Sequence, residues 1–296
     1  MSHMTESAIE NFAIKLFERL GYAYLHGPDI APDGDYPERS HYDEVLLVGR
    51  LEHALRRINP KLSNDVLHLA LKEVQRIQSP DLLANNETFH RLLTEGVKVS
   101  VQKDGHERGE LVWLIDFAHP ENNEFLVVNQ FTVIENHQHK RPDLVLFVNG
   151  IPLVVIELKN AADENATIKA AWRQIETYKQ ITPSLFTSNA FIVISDGLEA
   201  RAGSLSAGLS RFMTWKSADG KTEASHLVSQ LETLILGMLN KSTLLDLLRH
   251  FIVFEKSRKE DLKTGLISIS TVKKLAAYHQ YYAVNAASAK GCRPTA

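Results

Sequence analysis

The sequence of 296 residues predicts an α/β fold, with a mixed β-sheet flanked by helices and a helical region at its C-terminal end. Three observations predict it. Apolar residues at helical spacing dominate the first hundred positions, and apolar, β-branched segments cluster between residues 111 and 159. A helical pattern, one short apolar strand and further helical patterns follow. Because helices and strands are intermixed, we place the α/β core in residues 5–215.

Composition limits the function classes. With 44% hydrophobic and 23% charged residues, the chain has an ordinary folded composition, long enough for about two domains of ~150 residues. Its single cysteine, Cys292, excludes a disulfide framework and fits a reducing cytoplasm, which is the expected location. The formal charge of -3 argues against a surface that binds nucleic acid everywhere. No apolar stretch approaches the ~20 residues of a membrane span, so no membrane partner is expected.

The N-terminal part is predicted to be helical. Apolar positions at helical spacing define four helices, at residues 5–20, 42–57, 64–77 and 86–93. Gly21, Pro60 and Pro80 end the first three of them. The Gly-, Pro- and Asp-rich stretch 22–43 is predicted to be a loop.

The following segments predict the sheet. Residues 111–117 and 125–133 are strand candidates because they are rich in β-branched and aromatic residues. The clearest hairpin signal is Asn149-Gly150 between two apolar runs, because these residues adopt the positive φ angles of a type I′ turn. The remaining predicted elements are a helix at 164–180, a buried strand at 190–195, loops at 202–208 and 216–221, and helices at 227–239, 243–255 and 271–283.

Charged residues stand at the ends of the two hairpin strands. Asp143 begins the first strand, and Glu157 and Lys159 lie near the end of the second, two apart and therefore on one face. Two carboxylates beside a lysine form a hard-oxygen site suited to Mg²⁺. Such a site can polarise a phosphodiester, and the lysine can orient water or stabilise charge on phosphorus. A surface strand ended by an ion pair remains the alternative.

The register of the hairpin tests this interpretation. A regular two-residue turn pairs Val148 with Ile151 and sets Asp143 opposite Ile156, on the face away from Glu157. A one-residue bulge restores the shared face. Pro152 cannot donate a ladder hydrogen bond, so the bulge is predicted there.

The helix after the hairpin places Gln174 and Tyr178 four residues apart on one face. The short connection from Lys159 allows this face to lie beside the acidic site, where both side chains can bind phosphates or the lysine. An ordinary amphipathic helix with Tyr178 in the core is the alternative.

Together these motifs resemble a known family. Pro142-Asp143, Glu157-Leu158-Lys159 and Gln174-x-x-x-Tyr178 look like the PD-(D/E)xK nuclease motif followed by QxxxY. With "FLVVNQFTVIENHQHKRPDLVLFVNGIPLVVIELKN", they resemble the RecB-like nuclease domain of the R subunit of type I restriction-modification enzymes. The likeness covers most of residues 40–285 and implies a PD-(D/E)xK restriction-endonuclease-like core.

The resemblance implies Mg²⁺-dependent cleavage of double-stranded DNA. Asp143 and Glu157 would be metal ligands and Lys159 the catalytic lysine, with Gln174 and Tyr178 supporting the site or contacting DNA. Nucleases of this type often carry an acidic residue near the metal on the first helix, which here is Glu10; a solvated residue on the helix surface is the alternative. His137-x-His139 offers only two metal ligands, so with Lys140 and Arg141 this segment is expected to be a basic loop that faces DNA.

Members of this family carry an ATP-driven motor after the nuclease, but no G-x-x-x-x-G-K-[ST] loop occurs here. We therefore expect a nuclease domain at 5–215, a linker and helical region at 216–242, and the start of a truncated motor at 243–296. Gln280 resembles the motor's adenine-reading glutamine, so ATP is expected to bind only the full-length subunit. Specificity and methyltransferase subunits are the expected protein partners.

Two alternatives stay open. One is another PD-(D/E)xK nuclease, of a type III restriction or repair enzyme, which an adjoining motor and neighbouring methylase genes would distinguish. The other is a catalytically silent docking module of a restriction complex. The presence of Asp143, Glu157 and Lys159 argues against the silent module.

Overall fold

A mixed β-sheet forms the centre of the protein, as the computed structural model describes it for residues 5–77, 79–103, 106–160, 167–260 and 267–291. The described helices are α1 (Glu6–Arg19), α2 (Val48–Ile58), α3 (Asn64–Gln75), α4 (Leu82–Glu95), α5 (Ile168–Ile181), α6 (Ser184–Thr187), α7 (Gln230–Met238), α8 (Lys241–His250) and α9 (Tyr278–Gly291). The described strands are β1 (Ala23–His26), β2 (Val97–Lys103), β3 (His106–Val112), β4 (Phe125–Asn129), β5 (Val133–Glu135), β6 (Gln138–Lys140), β7 (Leu144–Val148), β8 (Ile151–Leu158), β9 (Phe191–Ser195), β10 (Ala200–Gly203), β11 (Ile252–Glu260) and β12 (Ile267–Leu275).

Among these residues, six strands form the main sheet in the order β1-β4-β7-β8-β9-β10. Strands β1 and β4 run parallel, as do β8 and β9, while the other neighbours are antiparallel. Every residue of β4, β7, β8 and β9 is buried, because helices cover both faces of the sheet. The predicted α/β fold with a mixed, helix-flanked sheet is confirmed.

Two apolar layers pack against the two sheet faces. Alternate strand residues contribute to each, because successive side chains point to opposite sides. One layer joins the sheet to α1, α2, α3, α4, α7 and α8, and includes Val127, Leu146 and Ile156. The other joins it to α5 and α6, and includes Val128, Val145 and Val155.

The hairpin β7–β8 contains the predicted bulge. Asn149 and Gly150 have φ angles of 53° and 78°, as a type I′ turn requires. Leu146 pairs with Val154, whereas the next residue, Phe147, pairs with Pro152, so one extra residue is inserted in β8 beside the proline. Beyond the bulge the ladder sets Leu144 opposite Ile156. The next positions, Asp143 and Glu157, therefore share one face, and the register prediction is confirmed.

Several predicted boundaries are wrong. The predicted loops at 22–43 and 202–208 include both edge strands of the main sheet, β1 and part of β10. These strands are four residues long and are defined by main-chain pairing, which leaves little apolar pattern. The predicted strand 111–117 shares only its first two residues with β3, because the Trp113 N–H is bound by Asn59 Oδ1 and the Asp116 side chain then accepts the N–H groups of Ala118 and His119 in a turn.

Other helix limits differ as well. Helix α2 begins at Val48 instead of residue 42, because the Glu44 side chain accepts the N–H groups of Ser40 and His41 in a turn before it. Helix α4 begins at Leu82, where the Asp81 side chain caps its first turn. Helix α5 is described from Ile168, and the predicted start at residue 164 lies outside the described residues, as does Cys292.

The C-terminal region is helical at α7, α8 and α9, but the predicted helices 243–255 and 271–283 are each half wrong. Strands β11 and β12 form an antiparallel hairpin between α8 and α9. Lys273 of β12 is 1% exposed, and its Nζ donates to Asn86 Oδ1 at 2.8 Å and to the Asn189 carbonyl at 2.5 Å. These long-range contacts fix the hairpin and have no counterpart in local sequence periodicity.

The hairpin and α7 to α9 share contacts with the main body, since residues of α7 and α8, with Tyr281, belong to the first apolar layer. The division of the chain at residues 216 and 243 stays a prediction. None of the described helices is long and apolar enough to cross a bilayer.

Candidate functional site

The carboxylate–lysine centre, formed by Asp143, Glu157 and Lys159, lies where β7 begins and β8 ends. Asp143 is 7% exposed and Glu157 is fully buried, whereas the side chain of Lys159 retains 15% exposure. The bulged hairpin brings the two carboxylates to one face, beside helix α5. The structure thus gathers the three residues that the sequence predicted to act together.

Hydrogen bonds hold this centre in place. Lys159 Nζ donates to Glu157 Oε1 at 2.7 Å, and the Leu158 backbone N–H donates to Asp143 Oδ2 at 2.6 Å. The Lys159 backbone N–H is bound to the Ser195 carbonyl of β9 at 2.8 Å. Glu157 Oε2 is buried and has no hydrogen-bond partner within the described residues. A buried carboxylate oxygen without a partner is costly, and a bound cation would satisfy it.

Burial sets the protonation of the centre. It raises the pKa of Asp143 to about 7, with Glu6 and Glu10 adding to the rise and the Leu158 N–H and Lys159 opposing it. Burial, reinforced by the facing Asp143, raises the pKa of Glu157 to about 8 against the pull of Lys159. For Lys159, burial acts to lower the pKa, but the adjoining carboxylates, Glu157 foremost, outweigh it and produce a net rise. The lysine is therefore a cation while the two acids resist ionisation.

These shifts predict how stability depends on pH. The unfolded chain releases both carboxyl protons near pH 4, while the folded, metal-free chain holds them up to about pH 7 to 8. Because the folded state then binds more protons, its free energy of unfolding should fall as pH rises from 5 to 7. The contribution is up to ~1.4 kcal/mol per pH unit for each proton. Urea denaturation of the chain in EDTA at a series of pH values measures it.

The Asp143→Asn/Glu157→Gln double variant should lose this part of the slope, and Glu107→Gln, on an exposed residue of β3, should keep it. Identical slopes in the wild type and the double variant would show that the two carboxyls are not protonated together in the fold.

The residues present fit a divalent cation. Two facing carboxylates supply hard oxygen ligands, and one of their oxygens lacks any other partner. No group of three or more His, Cys, Asp or Glu side chains positioned for metal binding occurs among the described residues. Mg²⁺ suits such a site, because it is commonly bound by one or two carboxylates and completes its octahedron with water and phosphate oxygens.

Helix α1 contributes two acids. Glu6 Oε1 lies 3.6 Å from Lys159 Nζ, on a side chain that is 47% exposed. One turn later, the Glu10 carboxylate accepts hydrogen bonds from Asn129 Nδ2 at 2.8 Å and Gln130 Nε2 at 2.6 Å. The charge of Glu10 also contributes to the rise in the pKa of Asp143. Its two carboxylate oxygens are engaged by amides, so a role as metal ligand stays a prediction.

Sequence reasoning missed Glu6, Asn129 and Gln130. A signal existed for the first, because Glu6 and Glu10 are four residues apart on one helix face. A signal for the amides also existed, because two adjacent polar residues, Asn129 and Gln130, end the apolar run of β4. In the structure Gln130 adopts a positive φ of 53°.

The pair on α5 lies beside the centre. Gln174 Nε2 donates to the Tyr178 hydroxyl at 2.5 Å, and that hydroxyl reaches the Arg141 carbonyl at 3.5 Å. Burial, with the Glu157 charge, raises the pKa of Tyr178. The ring of Tyr178 belongs to the core, as the alternative held, while its hydroxyl faces the segment that leads to Asp143. Lys140 Nζ lies 6.0 Å from the centre of the same ring.

The remaining predicted residues lie apart from the three central ones. His137 and His139 are exposed on the hairpin β5–β6. Gln280 lies at the start of α9, where its Oε1 accepts the Ala277 N–H at 2.9 Å. This contact closes the first turn of the helix, and the adenine-reading role stays a prediction for a longer protein.

The fold and the centre define a class: an α/β protein with a buried carboxylate–lysine centre at one end of a bulged hairpin. Residues 3–211 match the family described as Type I restriction enzyme R protein N terminus. The chain belongs to this family.

Curated relatives carry consistent names. The chain is 38% identical to the Type I restriction enzyme HindI endonuclease subunit of Haemophilus influenzae over 287 residues, which are 96% of the chain and 26% of that relative. It is 32% identical to the putative type I restriction enzyme MjaIXP endonuclease subunit of Methanocaldococcus jannaschii, over 94% of the chain and 27% of the relative. The chain thus spans about a quarter of the length of these relatives.

Proposed function

We propose that the chain is the Mg²⁺-dependent nuclease part of a type I restriction enzyme R subunit and cuts double-stranded DNA. The observation that carries the proposal is the pair of facing, buried carboxylates, Asp143 and Glu157. Lys159 donates a hydrogen bond to Glu157, and its side chain keeps some exposure to solvent. Membership of the R protein family and relatives named as endonuclease subunits support it. In this reading the three residues are the PD-(D/E)xK set.

Each side chain has a distinct task. Asp143 and Glu157 hold the cation, which supplies Lewis-acid stabilisation of the charge that develops on a phosphodiester. The ammonium of Lys159, anchored through its backbone to β9, is placed to donate a hydrogen bond to a phosphoryl oxygen as that oxygen gains charge. Gln174 holds the Tyr178 hydroxyl, which donates to the Arg141 carbonyl. This contact fixes the main chain two residues before Asp143 and so helps to position the Asp143 carboxylate.

The wider assignments belong to the same proposal. Specificity and methyltransferase subunits would direct the enzyme to its sites, and ATP would be used by a motor in the full-length subunit, in the cytoplasm. The relatives extend over about four times the length of this chain, which leaves room for such a motor in proteins of this kind.

Calorimetric titration with Mn²⁺ tests the metal site without requiring cleavage. At pH 8 the chain should bind one Mn²⁺, and Glu157→Gln should weaken the binding at least tenfold, because it removes the carboxylate charge and leaves the shape unchanged. Affinity should fall as pH drops towards 6, since both acids must ionise to bind a cation.

The matched control is Glu107→Gln on β3, which should bind Mn²⁺ as the wild type does. Absence of Mn²⁺ binding at millimolar concentration would support the silent docking module and overturn the nuclease proposal.

A further inference from the structure

Four cations lie on the elements that flank the carboxylate–lysine centre: Lys140 ends β6, Arg141 follows it two residues before Asp143, and Lys169 and Arg173 lie on α5. We call these four residues the basic track. Within the described residues, none of the four has an ion-pair partner within 4 Å. Lys169, Arg173 and Arg141 are exposed, and Lys140 is half-buried.

The geometry of α5 aligns the track. Lys169, Arg173 and Thr177 recur every four residues and so form one row on the exposed side of the helix. Thr177 lines an open cleft together with Lys140 and Arg141. The row therefore leads from the start of α5 to the segment that precedes Asp143.

The hairpin that carries the other half of the track is fixed. Asn136 and His137 have φ angles of 49° and 62°, which make a tight two-residue turn. The Glu135 carboxylate accepts the Ser184 N–H at 3.1 Å and also binds the Ser184 hydroxyl. The hairpin is thus held to α6 next to its turn, so a ligand that binds there does not have to order a mobile loop.

We propose that the basic track binds the phosphate backbone of double-stranded DNA on one side of the scissile bond. This inference rests on the proposed nuclease function and adds to it the surface that positions the substrate. Two acids on the same elements are already engaged, Glu135 by Ser184 and Glu176 by Lys179 at 2.6 Å. Uncompensated cations beside neutral donors such as Gln174 match a regular row of phosphates.

The negative net charge of the whole chain is consistent with DNA binding that is confined to the basic track. With a formal charge of -3, the chain has no general attraction for DNA, so binding must come from a restricted surface. Phosphate contacts position a duplex without reading its sequence, which suits a nuclease whose recognition would lie in other subunits.

Salt-dependent binding tests the track. Fluorescence anisotropy would follow the chain on a labelled 20-base-pair duplex in EDTA, from 30 to 150 mM KCl, so that no cleavage occurs. The slope of log K against log[KCl] should become shallower by about 1.8 in Arg141→Gln/Arg173→Gln, because each lost phosphate contact removes ~0.9. The matched control is Arg91→Gln/Arg108→Gln, two exposed arginines on α4 and β3 with the same change in charge.

An unchanged slope in the track variant, an equal decrease in the control variant, or no binding by the wild type at 30 mM KCl would each overturn the proposal. Thermal melting by circular dichroism checks that both variants are folded. The outcome is separable from that of the nuclease proposal, because DNA binding measured in EDTA needs no metal, and the Mn²⁺ titration needs no DNA.

Discussion

Replacing Asp143 by Asn is expected to abolish DNA cleavage by the assembled restriction enzyme while its ATP hydrolysis continues. Asn keeps the shape of the side chain and can still accept the Leu158 N–H, but it lacks the charge that a divalent cation requires. Loss of one member of a catalytic set lowers turnover by on the order of 10³-fold or more. A supercoiled plasmid with the recognition site, assayed for linearisation and for phosphate release, gives both readouts.

The variant should also fold well, which makes the result interpretable. Asp143 is almost completely buried and burial raises its pKa, so removing the charge relieves a cost in the metal-free protein. Glu107→Gln on β3 is the control and should cut as the wild type does. Cleavage at the wild-type rate by Asp143→Asn would exclude the proposed role of this carboxylate.

The second large effect is expected for Lys159→Met. The methionine preserves the apolar stem but cannot donate a hydrogen bond to a phosphoryl oxygen, so cleavage should fall by on the order of 10² to 10³-fold, the usual cost of one charge-stabilising donor. Mn²⁺ binding should persist, because the change frees Glu157 Oε1 from its 2.7 Å bond to Nζ. Retained metal affinity with lost turnover separates the lysine from the two ligands.

Lys15→Met is the matched control, an exposed lysine on α1, and should leave cleavage unchanged. If Lys159→Met instead lost Mn²⁺ binding and cleavage together, the lysine would act by organising the centre and the assigned role would be wrong.

The sequence allowed the hairpin and its bulge to be predicted because both depend on local chemistry. Asn149-Gly150 selects the turn, and Pro152 interrupts the ladder, so the face on which Asp143 lies follows from a few adjacent residues. The pairing of Gln174 with Tyr178 was likewise a matter of helical spacing.

What could not be predicted depends on contacts between distant segments. Glu10 meets Asn129 and Gln130 across about 120 positions, and nothing in either local pattern specifies that meeting. The burial of Lys273 is similar, since its ammonium is bound by the Asn86 amide oxygen of α4 and by the carbonyl of Asn189, before β9, both far away in the sequence. The edge strands were not predicted for a different reason. Strand β1 is short and only partly buried, so it shows little apolar pattern in the sequence.

A crystal of the chain soaked with Mn²⁺ at pH 8 tests the central claim most directly. The account predicts one anomalous peak in contact with carboxylate oxygens of both Asp143 and Glu157, at roughly the 2.0–2.2 Å of hard divalent cations. It also predicts that Lys159 Nζ remains next to that peak. A Mn²⁺-soaked crystal with no peak there, and with Glu157 still bound only to Lys159, would contradict it.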